Sequence, residues 1–368
     1  MLNPIGLYVH VPFCDGKCPY CDFYSIRGTE ERMDEYTNCI IDNIKYYSNI
    51  AGRKADTLYF GGGTPSLLGA KRMIRILEAA RKGFGLEQAE ITVEANPGDD
   101  LSGFFREIRA AGVNRLSLGL QSADDAELRL LGRRHTAEQA ARCAADAHAA
   151  GFENLSLDLM LAVQDQTEES LRRSVAFCAR AGAQHVSAYL LKVEPGTAYF
   201  KNRQALRLPD EDGAASLYLL ACAELERAGF RQYEISNFSE DGFQSRHNLK
   251  YWHDEEYLGF GPAAHSFLDG RRFSNKKSIG SFLRGDDPEP QGDGGGFEEF
   301  AMLALRLTEG LTDARCGEWF GHPVPERMKA AARRYESAGL TVCGEDGFHF
   351  TPKGFLVSNA LTAQILFA

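Results

Sequence analysis

No stretch of this 368-residue chain approaches the roughly 18 consecutive apolar residues that a membrane-spanning helix needs. The opening MLNPIGLYVHVPFC lacks the basic flank and small-residue cleavage site of a secretory leader, so a cytoplasmic location is expected. Positive charge is in short supply. The 41 Lys and Arg face 51 Asp and Glu, giving a formal net charge of -10. Such a surface repels phosphate, which argues against nucleic acid as a partner. Cysteine is present but mostly scattered. Of nine, only Cys14, Cys18 and Cys21 cluster. In a reducing compartment these are metal ligands or reactive thiols rather than a disulfide framework. Cys39, Cys143, Cys178 and Cys222 fall in helical patterns and read as packing residues.

What is present is a repeating alternation. Short apolar runs at 7–11, 57–60, 90–94, 115–120, 155–161 and 185–190 predict strands. Amphipathic runs at 30–49, 70–83, 102–111, 137–150, 168–181 and 212–228 predict helices, several ending in an Ala-Gly stop. Six strand–helix units in series imply an α/β fold with a parallel sheet, either a partial barrel or an open doubly wound sheet. In both, chemistry belongs at the C-terminal ends of the strands. There lie the cysteines after the first strand and Gly61-Gly62-Gly63-Thr64-Pro65 after the second. Glu94 closes the third strand, Gln121 the fourth, and Asp158 sits in the fifth. The pattern changes after residue 240. Four segments are expected: a barrel at 1–240, a His- and aromatic-rich segment packed on it at 241–284, a flexible acidic linker at 285–296 (GDDPEPQGDGGG), and a helical subdomain with a hairpin at 297–368. That last unit resembles a winged helix, but its seven basic and nine acidic residues form no basic face for DNA.

The cysteines read Cys14-x3-Cys18-x2-Cys21 on a loop. Three thiolates at this spacing can hold three irons of a 4Fe–4S cubane. No fourth Cys lies nearby, so one iron stays open, as in catalytic rather than structural metal sites. The amino and carboxylate groups of S-adenosylmethionine can chelate such an iron. The alternative is a zinc site completed by His10, although no second Cys-x2-Cys knuckle accompanies it.

This cysteine loop followed by GGGTP resembles the radical S-adenosylmethionine superfamily. YVHVPFC, GGGTPSLL, EANP, LGLQS and HNLKYW, in that order over residues 7 to 270, narrow the resemblance to the family of coproporphyrinogen dehydrogenase (HemN) and HemW-type haem chaperones. The resemblance implies a partial (β/α)6 radical-SAM barrel with a smaller C-terminal helical subdomain and the cluster at the strand tips. It implies that Tyr8, Gly62, Gly63, Thr64 and Glu94 contact S-adenosylmethionine. Gln121, Arg133, Asp158 and Ala188 match positions where some members hold a second S-adenosylmethionine. One departure is visible. The family reads DLMYGLPGQT after the fifth-strand Asp, whereas this chain reads DLMLAVQDQT from Asp158 to Thr167, so a different path is expected for the turn.

Two features separate the branches of that family. The dehydrogenases carry a further Cys two residues after the third, where this chain has Phe23, and an N-terminal extension, where this chain has seven residues before Tyr8. Both point to the HemW-like branch. There the motif HNxxYW, here His247-Asn248-Leu249-Lys250-Tyr251-Trp252, is associated with haem. An imidazole can ligate the iron and the two aromatics can cover the macrocycle. Lys250 or Arg246 would meet a propionate, with His253 and His265 as spare ligands. The expected role is delivery of haem to an acceptor protein of unspecified identity, with peripheral membrane contact where the acceptor is membrane-bound. The competing role is enzymatic: oxygen-independent oxidation of coproporphyrinogen III, or radical methylation and opening of a tetrapyrrole. Turnover of that kind requires an electron donor. A third reading is a relative that keeps only the cluster.

Overall fold

The computed structural model describes residues 3–367. Six parallel strands stand where the apolar runs predict them. They are β1 (Ile5–Val11), β2 (Ala55–Gly62), β3 (Glu90–Ala95), β4 (Arg115–Gln121), β5 (Leu155–Leu161) and β6 (His185–Leu190). They pair in sequence order, each with its successor. The predicted helices return between them, from Glu30–Ala51 to Glu211–Arg227. Side chains alternate along each strand. One set, including Leu7, Val9, Leu58, Phe60, Val93, Leu116 and Leu157, is fully or almost fully buried under the helices. The other set is polar: Tyr8, Tyr59, Glu94, Ser117, Asp158 and Ser187 share the opposite face, where Tyr59 bonds to Glu94, and Ser117 and Ser187 bond to Asp158, across strands. A parallel sheet ordinarily buries both faces in apolar contacts. Here the inner face lines a polar lumen.

The barrel does not close, because β6 never pairs with β1. Beyond β6 the sheet continues antiparallel through β8 (Asn237–Ser239) and β7 (Arg231–Gln232). On the other side β1 is joined in parallel by β9 (Tyr257–Phe260). Then come β10 (His265–Leu268), β11 (Arg271–Ser274) and β12 (Glu289–Asp293), all antiparallel. Twelve strands thus form one sheet with a seam between β6 and β1. Two expectations are corrected here. The segment 241–284 does not merely lie on the barrel; three of its strands extend the sheet. The stretch 285–296 is no flexible linker, because Glu289–Asp293 is hydrogen-bonded to β11 as the edge strand. Its Pro and Gly residues fit an edge, where one side of the ladder is free.

The C-terminal unit starts with the helix Phe297–Ala304. It contains a small antiparallel sheet of β13 (Leu311–Thr312), β15 (Gly347–Phe350) and β14 (Thr341–Cys343) with four further helices. It docks beside the seam: Ile235 donates to the carbonyl of Arg306, and Thr308 donates to that of Tyr233. Among the described residues no helix is long and apolar enough to cross a membrane.

Candidate functional site

The cysteine loop leaves the tip of β1 and is pinned at its base. Phe13 is buried, Cys14 donates its amide to Ile26, and Ile26 donates to Pro12. This clamp holds the loop against the turn after β2. The amides of Gly63 and Thr64 donate to the carbonyls of Val11 and Phe13 at 2.8 and 2.7 Å. The contact explains two of the glycines. A Cβ on Gly63 would lie 2.6 Å from the Phe13 oxygen, and one on Gly62 2.7 Å from the His10 ring. The glycine run is therefore required by the packing of the cysteine loop itself.

All three clustered thiols are half-buried. Thr64 Oγ1 approaches Cys14 Sγ at 3.6 Å, and Arg133 Nη1 approaches Cys18 Sγ at 3.7 Å. Asn96 joins these two residues. It donates to Thr64 at 2.9 Å and accepts from Arg133 at 2.5 Å, while Arg133 also holds the Gly119 carbonyl at 2.7 Å. Sulfur is a weak acceptor until it carries charge, so a hydroxyl and a guanidinium aimed at two sulfurs suit thiolates. Among the described residues no three His, Cys, Asp or Glu side chains converge on a single metal position. A cubane presents separate irons to separate thiolates and does not require such convergence. The zinc alternative fails on His10. Its Nε2 meets the Tyr24 carbonyl at 3.0 Å and its Nδ1 meets the Tyr8 hydroxyl at 3.2 Å, so neither nitrogen is free.

Beneath the cysteine loop lies the mouth of the lumen. Glu94 accepts from the Tyr59 hydroxyl at 2.9 Å and from the Gly62 amide at 3.1 Å. Burial, with Asp158 nearby, pushes its carboxyl up to about 7. Asp158 accepts from Ser117 at 3.0 Å and is pushed by burial up to about 6. Two acids held in the lumen, neither ion-paired at short range, suit a cationic ligand. Arg115, 1% exposed, lies among these groups and leaves its Nε without a partner. An unsatisfied buried group of this kind is one that a water, an ion or a polar ligand would complete. The groups at this mouth therefore fit a cluster with S-adenosylmethionine: thiolates above, carboxylates below, and a close glycine backbone between, whose amides at Gly62, Gly63 and Thr64 are already taken by Glu94, Val11 and Phe13.

Gln121 stands at a bulge where the β4–β5 register shifts, with φ of 69°. Such bulges re-aim a side chain at a strand tip. Ala188 behaves otherwise. Its side chain is buried on the helix-covered face, and its amide is taken by the Ser236 carbonyl at 2.7 Å. The expected backbone contact to a ligand is therefore not available through that amide. The turn after β5 also differs from expectation. Ala162 and Asp165, standing where the family pattern has glycines, have φ of 57° and 59°. The turn keeps backbone angles that glycine favours. Gln166 secures it by accepting from the Ala162 amide at 2.7 Å, and Asp165 pairs with Arg207 outside the mouth.

The HNLKYW motif forms the helix Arg246–Trp252, lodged in the seam. Glu90 of β3 accepts the amides of Arg246 and His247 at 3.1 and 3.0 Å, capping the helix from the barrel floor. His247 is 1% exposed, and both its nitrogens are engaged. Nδ1 meets Thr57 Oγ1 at 2.8 Å and Nε2 meets the Tyr251 hydroxyl at 2.7 Å. Burial lowers its pKa to about 3, so the ring is neutral. The expectation of an imidazole free to ligate iron is not met in this arrangement. Lys250 is also corrected: it is buried between Asp56 and Glu255 at 3.0 and 2.8 Å. Arg246 is turned to the Gln88 carbonyl, His253 is held by Glu255 and Glu309, and His265 lies exposed on β10. Tyr251 and Trp252 are different. They border a cavity of about 330 Å³ at the seam, shared with Tyr189 of β6, Glu234, Asn248 and Arg306. Arg306 and Glu234 escape a sequence reading, because nothing near them resembles a motif. Packed rings link the lumen to the motif helix: those of Tyr8 and Tyr59 lie 6.3 and 5.3 Å from that of His247.

Comparison with known proteins agrees with this geometry. The radical SAM superfamily matches residues 8–178, and the HemN C-terminal domain matches residues 297–357. The protein named heme chaperone HemW from Mycobacterium tuberculosis is 37% identical, the alignment covering 99% of this chain and 95% of that protein. Its Escherichia coli namesake is 36% identical, with 99% of each chain covered. The mitochondrial radical S-adenosyl methionine domain-containing protein 1 of Bos taurus is 38% identical over 88% of this chain and 69% of its own. Among solved structures, E. coli coproporphyrinogen III oxidase (HemN) superposes with a TM-score of 0.84 at 21% identity, covering 98% of this chain and 90% of that one. That likeness carries the fold alone. The superfamily implies a 4Fe–4S cluster and S-adenosylmethionine as cofactors. On these grounds the chain belongs to the radical S-adenosylmethionine superfamily and, within it, to the HemN and HemW family.

Proposed function

We propose that this chain is a HemW-like haem chaperone, which binds haem beside a cluster-bound S-adenosylmethionine and passes the haem to an acceptor protein. Cys14, Cys18 and Cys21 would hold the 4Fe–4S cluster, with Thr64 and Arg133 donating to sulfur. Bound there, S-adenosylmethionine is a source of one-electron radical chemistry when an electron donor is available. The residues of this chain would hold it in place. Glu94, kept in position by Tyr59 and Gly62, would receive its ammonium, while Tyr8 and the backbone at Gly62, Gly63 and Thr64 line its path. Gln121, Arg133 and Asp158 would bound the deeper lumen. Haem would lie at the seam against Tyr251 and Trp252, with His247 orienting Tyr251 through its 2.7 Å hydrogen bond.

The single observation that carries the haem reading is the seam cavity itself. It is bordered by the two aromatics of the motif, and Tyr251 is hydrogen-bonded to His247, whose ring packs against Tyr8 and Tyr59 of the lumen. Phe23, 61% exposed, stands where the dehydrogenases have their additional Cys. All nine cysteines are free thiols, which agrees with a reducing, cytoplasmic setting. The test is a haem titration of anaerobically purified, cluster-loaded protein, followed at the Soret band. It runs beside an assay with coproporphyrinogen III, reductant and S-adenosylmethionine. Stoichiometric haem binding without protoporphyrinogen formation is expected; protoporphyrinogen formation would move the chain to the dehydrogenase side.

A further inference from the structure

We propose that Arg306, contributed by the C-terminal unit, receives a carboxylate side chain of the tetrapyrrole whose ring edge lies against Tyr251 and Trp252. This assignment rests on the haem reading above and names the part of the molecule that enters the seam. A cavity of about 330 Å³ stands at the small end of ligand pockets. It admits an edge of a macrocycle and one side chain rather than the whole ring. Its border includes three aromatics, Tyr189, Tyr251 and Trp252, and one cation, Arg306. Flat rings against apolar faces, with a guanidinium at the end, match a tetrapyrrole edge bearing a propionate.

The guanidinium is held in place yet still has donors to offer. The backbone of Arg306 is fixed by the amide of Ile235 at 2.9 Å, in the ladder where Glu234 bridges Leu307. Its Nη2 donates to Asn359 Oδ1 at 2.6 Å. Among the described residues no carboxylate lies within ion-pair distance of it. Glu234, the neighbouring acid, borders the same cavity although it is itself buried. Burial pushes this carboxyl up to about 7. The other cations near the motif are taken: Lys250 is buried between two acids, and Arg246 is bonded to the Gln88 carbonyl. Arg306 is therefore the cation that borders the cavity together with the motif aromatics.

The experiment compares haem with haem dimethyl ester, which keeps the ring and removes both carboxylate charges. Both are titrated into wild type, Arg306→Gln and Asn359→Ala. Wild type is expected to prefer haem to its ester. Arg306→Gln is expected to lose haem affinity about tenfold, as for a charge-assisted hydrogen bond, with no loss toward the ester. Asn359→Ala loosens the guanidinium without removing it and should keep the preference for haem. Equal haem affinity in wild type and Arg306→Gln would overturn the assignment, as would an equal loss toward haem and ester. If wild type binds neither ligand, the haem reading itself fails, which is a separate result.

Discussion

At the scale of single residues, the lumen is arranged around buried acids whose burial outweighs the opposing charge of Arg115. Glu94 is the clearest case. Its folded-state pKa of about 7 lies above the ordinary carboxylate value, because burial and Asp158 disfavour the charge. The folded state thus holds a proton that the unfolded state releases. The group contributes most to stability below the ordinary carboxylate pKa, and the contribution is lost as pH rises toward about 7. A ligand ammonium reverses the preference. Binding of S-adenosylmethionine should therefore tighten as pH rises from 6 to 8, and equilibrium dialysis of cluster-loaded protein measures it. Glu94→Gln should flatten that dependence and weaken binding, while raising the melting temperature of ligand-free protein at pH 8 more than at pH 5. The positions of the cysteines after the first strand, of Glu94 at the end of the third and of Asp158 within the fifth were legible in the sequence, because spacing and strand periodicity place them there. The engagement of His247 was not, because its partner Thr57 lies 190 residues away on another strand.

At the scale of elements, the turn after β5 shows how a motif can change while its backbone does not. Ala162 and Asp165 occupy left-handed conformations that cost a residue with a Cβ about 1 kcal/mol or more. The turn is retained because Gln166 and Arg207 fasten it from two sides. Ala162→Gly should therefore stabilise the protein by about 1 kcal/mol, read as a shift of the urea midpoint at unchanged slope. A loss of stability would show that the alanine methyl, 5% exposed, packs well enough to outweigh the backbone term. The six strand–helix units were readable from periodicity, since each buries one apolar set beneath a helix. Strands β9 to β11 were not. They are four residues each, and their polarity follows from sheet neighbours that a local pattern does not reveal.

At the scale of the whole molecule, the open barrel divides labour between its tip and its seam. The tip holds the cysteines and the acids, and the seam is filled by the helix Arg246–Trp252 and bordered by the C-terminal unit. A twelve-strand sheet that does not close must also end somewhere. One end is β7, only two residues long; the other is β12, Glu289-Pro-Gln-Gly-Asp293, exposed at every residue. A bare strand edge invites pairing with a second copy, and proline, glycine and charge discourage it. Replacing Glu289, Pro290 and Asp293 together by valine should leave haem affinity unchanged yet produce concentration-dependent aggregates in light scattering. On the proposed role the protein hands over cargo while crowded among its own copies, and this short acidic stretch would then present an open sheet edge that resists polymerising.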